Sequence, residues 1–247
     1  MSSSVNATQP AGWRLVSVAA AISVSMGMLT LSSAALASAN LLSNGSFESP
    51  VLTPGTNYAI ETVGAVTLPA WSIVGPVGKN VALIEATYSL PDAAGINFAA
   101  ADGVQWIDLT GGGSNAYEGV KQTVVLSPGS YDVSFFVGNV VQPGGPLGVT
   151  SAVDLWINGV NVQTFTNTGA GGGGINWTRY SYSFNASGAT SIALMNADGP
   201  GDHLNGLDHV TLQAVPEPTS ALLLLAGLLA VTAQMRGGRA ISGKREK

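Results

Sequence analysis

The stretch Val153-Asp-Leu-Trp-Ile-Asn-Gly-Val-Asn-Val-Gln-Thr-Phe165 decides the fold class. Two runs rich in β-branched and aromatic residues flank the dipeptide Asn158-Gly159. Both central residues of a type I′ turn need positive φ, which Asn and Gly tolerate, and the twist of this turn matches that of two paired strands. The stretch therefore predicts an antiparallel β-hairpin.

Short apolar segments of the same kind lie on both sides of this hairpin. They occupy residues 104–109, 120–126, 131–137, 177–184, 192–195 and 207–212, and Ser127-Pro128-Gly129 predicts a turn between the second and the third. No amphipathic helical pattern of useful length interrupts them. Eight to ten short strands with Gly- and Pro-containing turns predict an all-β antiparallel sandwich or jelly roll.

Composition limits what residues 40–214 could bind. This body has twelve Asp and Glu residues and three basic ones, Lys79, Lys121 and Arg179, which gives a net charge of −9. Such a surface would repel the phosphates of nucleic acid and is compatible with cations and neutral ligands. The chain has no cysteine, so an exported domain must be held by its core, with or without a metal ion.

The beginning of the chain has the three parts of a secretory signal peptide. Arg14 precedes an apolar run over residues 15–36, and Ala37-Ser38-Ala39 follows as a small-residue cleavage site. This order predicts a signal peptide over residues 1–39, cleaved after Ala39. The alternative is a retained membrane helix.

The end of the chain carries a topology signal. Val215-Pro-Glu-Pro-Thr-Ser leads into an apolar stretch at 221–235, and five of the nine Lys and Arg residues lie in the last twelve positions. Basic residues stay on the cytoplasmic side, so the preceding domain is expected outside the membrane. A predicted helix of about 15 residues is short against the roughly 20 that span a bilayer. A processed signal is therefore favoured over a permanent single-span anchor.

This tail, residues 215–247, resembles the bacterial PEP-CTERM sorting signal. Pro216, Glu217 and Pro218 match its Pro-Glu-Pro core, and the apolar span and the basic end follow in the same order. The resemblance implies an exosortase-type membrane protease as a partner. It also implies transient residence in the inner membrane, followed by transfer to the cell surface or to an extracellular polysaccharide matrix.

A second resemblance covers residues 40–214. The body opens with Asn40-Leu-Leu-Ser-Asn-Gly-Ser-Phe-Glu48, continues through Asp102-Gly-Val-Gln-Trp-Ile-Asp-Leu109, and closes with Leu207-Asp-His-Val210. These motifs, with Trp71 after the first loop, resemble the galactose-binding-like jelly-roll superfamily, which includes carbohydrate-binding modules. His209 stands where those domains have Asn. The resemblance implies the jelly-roll fold more firmly than any ligand.

The same resemblance implies a structural calcium ion held by Glu48 and Asp208. Calcium takes six to eight oxygen ligands, which an acidic domain without cysteine supplies. The alternative is that Glu48 caps a turn and Asp208 accepts hydrogen bonds from neighbouring backbone. Zinc at His203 and His209 is disfavoured, because residues six apart on a strand are about 20 Å apart.

Sugar-binding modules stack exposed aromatic rings on the apolar face of a pyranose. Trp177, Tyr180 and Trp156 are the candidates for such stacking, whereas Trp71 and Trp106 lie in motif segments expected in the core. The alternative for each ring is ordinary packing at the core or its rim.

Catalysis has no support in the sequence. A cysteine nucleophile and a Gly-x-Ser-x-Gly motif are both absent. Asp102 and Asp108 remain open as a pair of glycosidase carboxylates. We therefore expect an exported, non-catalytic, carbohydrate-binding protein. The alternatives are a structural or adhesive matrix protein without a sugar site and, less favoured, a glycan-modifying enzyme.

Overall fold

A computed structural model describes residues 39–53, 55–89, 95–113, 117–141, 147–170, 173–199, 204–216, 226–228 and 231. The predicted cleavage residue Ala39 and the motif residue Pro216 are described and exposed. Ala37, Glu217, Pro218 and His203 lie outside the described residues. Residues 226–228 and 231, within the predicted tail helix, are helical. Among the described residues there is no helix with the length and apolar character to cross a membrane.

The described part of the body is built from β-strands that pair antiparallel, as predicted. The nine strands are β1 Tyr58–Thr62, β2 Ser72–Val74, β3 Asn80–Glu85, β4 Gln105–Asp108, β5 Gly119–Asn139, β6 Ser151–Ile157, β7 Val160–Asn167, β8 Asn176–Asn196 and β9 Gly206–Ala214. Their order is β1-β3-β4-β9-β5-β8-β6-β7, and β2 pairs with β5.

The predicted hairpin is β6 and β7. Asn158 and Gly159 join them with φ of 51° and 80°, the two positive values that a type I′ turn requires. The sequence did not predict β1, β2 or β3. Strand β3 is buried from residue 81 to residue 84 on both of its faces, so it shows no polar alternation that would distinguish it from a buried helical segment.

Strands β5 and β8, of 21 residues each, pair along their whole length and are shared by both layers of the sandwich. Strand β9 joins residues 131–138 of β5, whereas β6 joins residues 192–196 of β8. Inward side chains from both halves of this ribbon meet in a single core cluster. The fold is therefore an antiparallel jelly-roll sandwich.

The predicted turn at Ser127-Pro128-Gly129 is wrong, because β5 continues through it. The register shifts between Leu126 and Gly129, and Gly188 on the opposite strand has a φ of 75°. A β-bulge tolerates the missing amide of proline and bends the strand. The residues that predicted a chain reversal instead mark the place where the ribbon passes from one layer to the other.

The core lies between the layers, and a smaller apolar cluster lies outside them. The predicted inward face of β5 is confirmed, since Tyr131, Val133 and Phe135 are all buried. The smaller cluster covers the outer face of β3 and β4. It consists of Ala82, Ile84, Phe98, Trp106, Val140, Leu147 and Leu204.

The opening segment, residues 40–48, runs along β9. The Val210 amide donates to the Gly45 carbonyl over 2.8 Å, and the Asn40 side chain bonds the backbone of Val210 and Leu212 over 2.9 and 2.8 Å. The backbones approach so closely that a Cβ on Gly45 would lie 2.0 Å from the Val210 carbonyl oxygen. Only glycine fits there without a backbone shift.

We expect Gly45→Ala to lower the free energy of unfolding by about 1–3 kcal/mol, because an added methyl must displace backbone. The matched control is Gly199→Ala, where a Cβ meets nothing within 4 Å and the change should stay within about 0.5 kcal/mol. Urea unfolding of the two variants measures both effects. Equal stabilities would contradict the close approach of the opening segment to β9.

Candidate functional site

The three motif segments identified in the sequence meet at one place in the fold. Asp208 on β9 and Glu48 in the opening segment hold the loop at residues 101–105 from its two ends. Asp208 Oδ2 accepts the backbone amides of Ala101 and Asp102, both over 2.8 Å. Glu48 Oε1 accepts those of Val104 and Gln105 over 2.8 and 2.9 Å.

Asp208 has no exposed surface. Its Oδ1 accepts a third amide, that of His209, over 2.6 Å. His209 has a φ of 47° and sits in a bulge of β9, which leaves Asp208 and Val210 both buried. Burial raises the pKa of Asp208 to about 7, while the hydrogen bonds from Asp102, His209 and Ala101 act in the opposite direction.

Glu48 and Asp208 therefore make the backbone hydrogen bonds that were the alternative to calcium. A Cβ at Gly103, whose φ is 73°, would lie 2.2 Å from Glu48 Oε1, so the loop fits closely around this carboxylate. Three backbone amides donate to the two oxygens of Asp208. Within the described residues no group of three or more His, Cys, Asp or Glu side chains could hold a metal ion. Calcium stays a prediction.

Ser46, Asp102 and His209 form a polar cluster beside this loop. Asp102 Oδ2 accepts the Ser46 hydroxyl over 2.6 Å and lies 3.0 Å from His209 Nδ1. These two side chains lower the pKa of Asp102, with the serine hydrogen bond having the larger effect. The Ser46 hydroxyl and the His209 imidazole thus both contact the same carboxylate oxygen of Asp102.

An aromatic pocket of about 350 Å³ opens on the outer face of β1, β3 and β4. Its rings contact one another in sequence: Tyr58 and Tyr88 meet edge to face with centroids 5.9 Å apart, and Tyr88 and Phe98 at 5.3 Å. Trp106 is buried at its base and donates its indole N–H to the Phe98 carbonyl over 2.9 Å. The lining is Tyr58, Ile60, Ala82, Ile84, Tyr88, Phe98, Trp106, Asp108, Gly111, Gly112, Gly113, Leu147 and Leu204.

Asp108 is the carboxylate of this pocket. Its Oδ1 accepts the amides of Thr110 and Asn205 and the Thr110 hydroxyl, over 3.0, 3.1 and 2.8 Å. Burial nevertheless raises its pKa to about 6. Burial, with smaller effects from Tyr58 and Asp108, also raises the pKa of Tyr88, so that hydroxyl stays protonated. Asp102 belongs to the separate cluster with Ser46 and His209.

Trp177, one of the three predicted stacking residues, lies against the sheet. Its ring meets Trp106 edge to face at 5.8 Å, and its indole N–H donates to the Ala99 carbonyl over 2.9 Å. The ring lies directly on two glycines, since an added Cβ would be 2.6 Å from the ring at Gly138 and 2.9 Å from it at Gly206. Trp177 is therefore a half-buried part of the smaller cluster.

The other two predicted stacking residues lie elsewhere. Tyr180 packs on Phe165 at 5.2 Å and donates its hydroxyl to the Thr166 carbonyl over 2.7 Å. Trp156 is half-buried beside a pocket of about 210 Å³ that Lys121 also lines. The fold does not bring Trp156, Tyr180 and Trp177 together, and their role in sugar stacking stays a prediction.

Sequence reasoning missed the aromatic pocket. Tyr58 and Tyr88 belong to no motif, and β1 was not predicted. The expectation that Trp71 and Trp106 are core residues is confirmed, at 3% and 1% exposure. One signal for the pocket was present in the sequence. Asp108 lies two positions after Trp106 on a predicted strand, so the carboxylate and the indole are expected on the same face of the sheet.

Comparisons with known proteins show the fold. No protein-family model matches the sequence, and no curated protein matches it. A Stig cyclase from Fischerella sp. TAU, in complex with (3Z)-3-(1-methyl-2-pyrrolidinylidene)-3H-indole, is similar over 72% of this chain and 98% of its own, with 21% identity and a TM-score of 0.50. A cyclase from the same organism, in complex with 4-(1H-indol-3-yl)butan-2-one, is similar over 74% of this chain and 100% of its own, with 20% identity and a TM-score of 0.51.

Carbohydrate-binding modules are also among the structures of similar fold. TmCBM61, solved with beta-1,4-galactotriose, covers 72% of this chain and 100% of its own, with 19% identity and a TM-score of 0.43. At about 20% identity, the likeness to the two cyclases shows the fold alone and leaves the ligand to be argued from the site itself.

The raised pKa of Asp108 predicts that stability falls as pH rises. The folded state holds this proton more tightly than the unfolded chain, in which the pKa of Asp is about 3.9. The protonated Asp108 therefore stabilises the folded state fully below about pH 4, and this stabilisation is lost as the pH rises through about 6. Asp108→Asn keeps an Oδ1 acceptor for all three hydrogen bonds but does not titrate. We expect its urea-unfolding free energy to fall less than that of the wild type between pH 4.5 and 8. Identical pH profiles would show that Asp108 is ionised throughout.

Proposed function

We propose that the jelly-roll domain binds a neutral carbohydrate in the aromatic pocket and has no catalytic activity of its own. The observation that supports this proposal is the combination of exposed and buried rings around a single carboxylate, in a cavity of about 350 Å³. A mostly apolar concavity with a few polar groups and a shifted pKa is the usual form of a small-ligand site.

The pocket suits the two chemical characters of a pyranose. Tyr58 is 46% exposed at the rim and presents aromatic surface to the apolar face of a sugar. The hydroxyls of Tyr58 and Tyr88 and the carboxylate of Asp108 supply a donor and acceptor set for sugar hydroxyls. A neutral ligand is favoured because the carboxylate and the acidic body both repel anions here.

We expect Tyr58→Ala to weaken retention on a neutral polysaccharide, with a loss of about 0.5–1.5 kcal/mol in binding free energy beyond the lost area. Affinity electrophoresis against a panel of neutral polysaccharides measures this. The matched control is Tyr117→Ala, which removes a 71% exposed ring that does not line the pocket. Stacking is uncharged, so added salt should barely change the result.

Two outcomes would reject the pocket as the sugar site. One is equal weakening by the Tyr58 and Tyr117 substitutions. The other is a folded wild-type protein that no neutral polysaccharide retards. In the second case a structural or adhesive matrix protein without a defined sugar site becomes the better interpretation.

We further propose that the protein is exported and sorted to the cell surface or extracellular matrix of a bacterium by an exosortase-type membrane protease. The motivation is the Ala37-Ser38-Ala39 exit at one end and Pro216-Glu217-Pro218 with its apolar span and basic residues at the other. The binding of a matrix polysaccharide would agree with that destination.

Export and sorting predict a mature chain that lacks both ends. Cleavage after Ala39 and near Pro218 should remove the signal peptide and the apolar tail. The intact mass of the protein recovered from the cell surface or medium tests both cuts. A mass that includes residues 221–235 would reject tail processing and indicate a membrane anchor instead.

A further inference from the structure

A second concavity, the polar groove, lies on the outer face of the sheet beside the loop at 101–105. It has a volume of about 350 Å³ and spans the neighbouring strands β9, β5 and β8. It is more polar than the aromatic pocket, because hydroxyls, an amide, a carboxylate and a guanidinium line it. These residues are Asp132, Ser134, Arg179, Tyr180, Ser181, Thr211 and Gln213.

Among the described residues Arg179 is the only basic one that lines this groove, and its exposed side chain is hydrogen-bonded to the floor of the groove. Nη2 donates to the Ser134 hydroxyl over 2.9 Å, and that hydroxyl lies 2.8 Å from Thr211 Oγ1 on the next strand. Ser134 is only 4% exposed, so the hydroxyl is a fixed anchor at the floor of the groove. The chain thus orients a cation whose long side chain would otherwise sample many rotamers.

The guanidinium has no anionic partner among the described residues. Asp132, the carboxylate in the same groove, accepts the Ser183 hydroxyl instead. Within the described residues Arg179 has no contact with a carboxylate within 4.0 Å, and the 3.0 Å contact between His209 Nδ1 and Asp102 Oδ2 does not involve it. An oriented arginine without a carboxylate, in a body of net charge −9, is available for an anionic group of a ligand.

We propose that the polar groove binds a sugar carboxylate, as carried by a uronic acid residue of an acidic polysaccharide. The guanidinium presents a planar fork of donors that matches a carboxylate. Ser181 and Thr211 line the same groove, and their hydroxyls suit sugar hydroxyls. Phe136 pairs with Arg179 across the strands and meets His209 edge to face at 5.9 Å, which adds aromatic surface at one end.

This site is separate from the proposed neutral-sugar site. The aromatic pocket and the polar groove share no lining residue. The strong negative charge of the body also favours an isolated carboxylate on a sugar over a dense polyanion such as nucleic acid.

The test is calorimetric titration of the purified protein with trigalacturonate and with its methyl ester, in which a methyl group on each carboxyl removes the negative charge. We expect the acid to bind and the ester to bind at least about fivefold more weakly, the effect of one partly exposed charge pair. Arg179→Gln should remove this preference, and Arg179→Lys should restore only part of it because an ammonium lacks the fork.

Lys121→Gln is the matched control, since it removes one positive charge beside Trp156, in another pocket. It should leave the preference for the acid unchanged. The proposal is overturned if acid and ester bind equally, if neither binds, or if the Lys121 and Arg179 substitutions act alike while melting curves show folded protein. Displacement of trigalacturonate by an equal concentration of inorganic sulfate would also overturn it, in favour of a general anion site.

Discussion

The buried carboxylate of Asp208 is the interaction on which the outer face of the sheet depends. A carboxylate without exposed surface is tolerated only where donors replace its water, and here three backbone amides do so. Two of these amides belong to the loop at 101–105, whose other end is held by Glu48. One buried acid therefore fixes where an otherwise irregular segment crosses the sheet. A bulge at His209 supplies the third amide, and Asp208 is buried on the outer face beneath the loop.

The position of that segment determines the two concavities. Just before the loop, Ala99 receives the indole N–H of Trp177 and Phe98 receives that of Trp106, so the segment covers the smaller apolar cluster and forms a wall of the aromatic pocket. On the other half of the face β5, β8 and β9 present hydroxyls around Arg179. The same sheet thus offers an aromatic surface with a carboxylate and a polar surface with a guanidinium. The two halves of this face therefore differ in charge and polarity.

Local sequence patterns predicted those parts of the fold that depend on neighbours in the chain. Asn158-Gly159 defined the hairpin because its two positive φ values are a property of these residues themselves. The alternation of side chains along a strand placed Tyr131, Val133 and Phe135 in the core, because residues two apart lie on the same face of a strand. The prediction failed where burial on both faces removes alternation, as in β3, and where a bulge resembles a turn, as at Ser127-Pro128-Gly129.

The sequence by itself determined the all-β class, the acidic and cysteine-free body and the three motif segments around Phe47-Glu48, Asp102-Gly103 and Leu207-Asp208. It did not determine what those segments do, because the partner of a carboxylate depends on distance in space. Tertiary structure brought Asp208 and Glu48 to backbone amides and packed Trp177 against Gly138 and Gly206. It also gathered Tyr58, Tyr88 and Asp108 from three separate segments. Residues on different strands become neighbours only through sheet register. Register is set by the packing of the whole core, which no short motif contains.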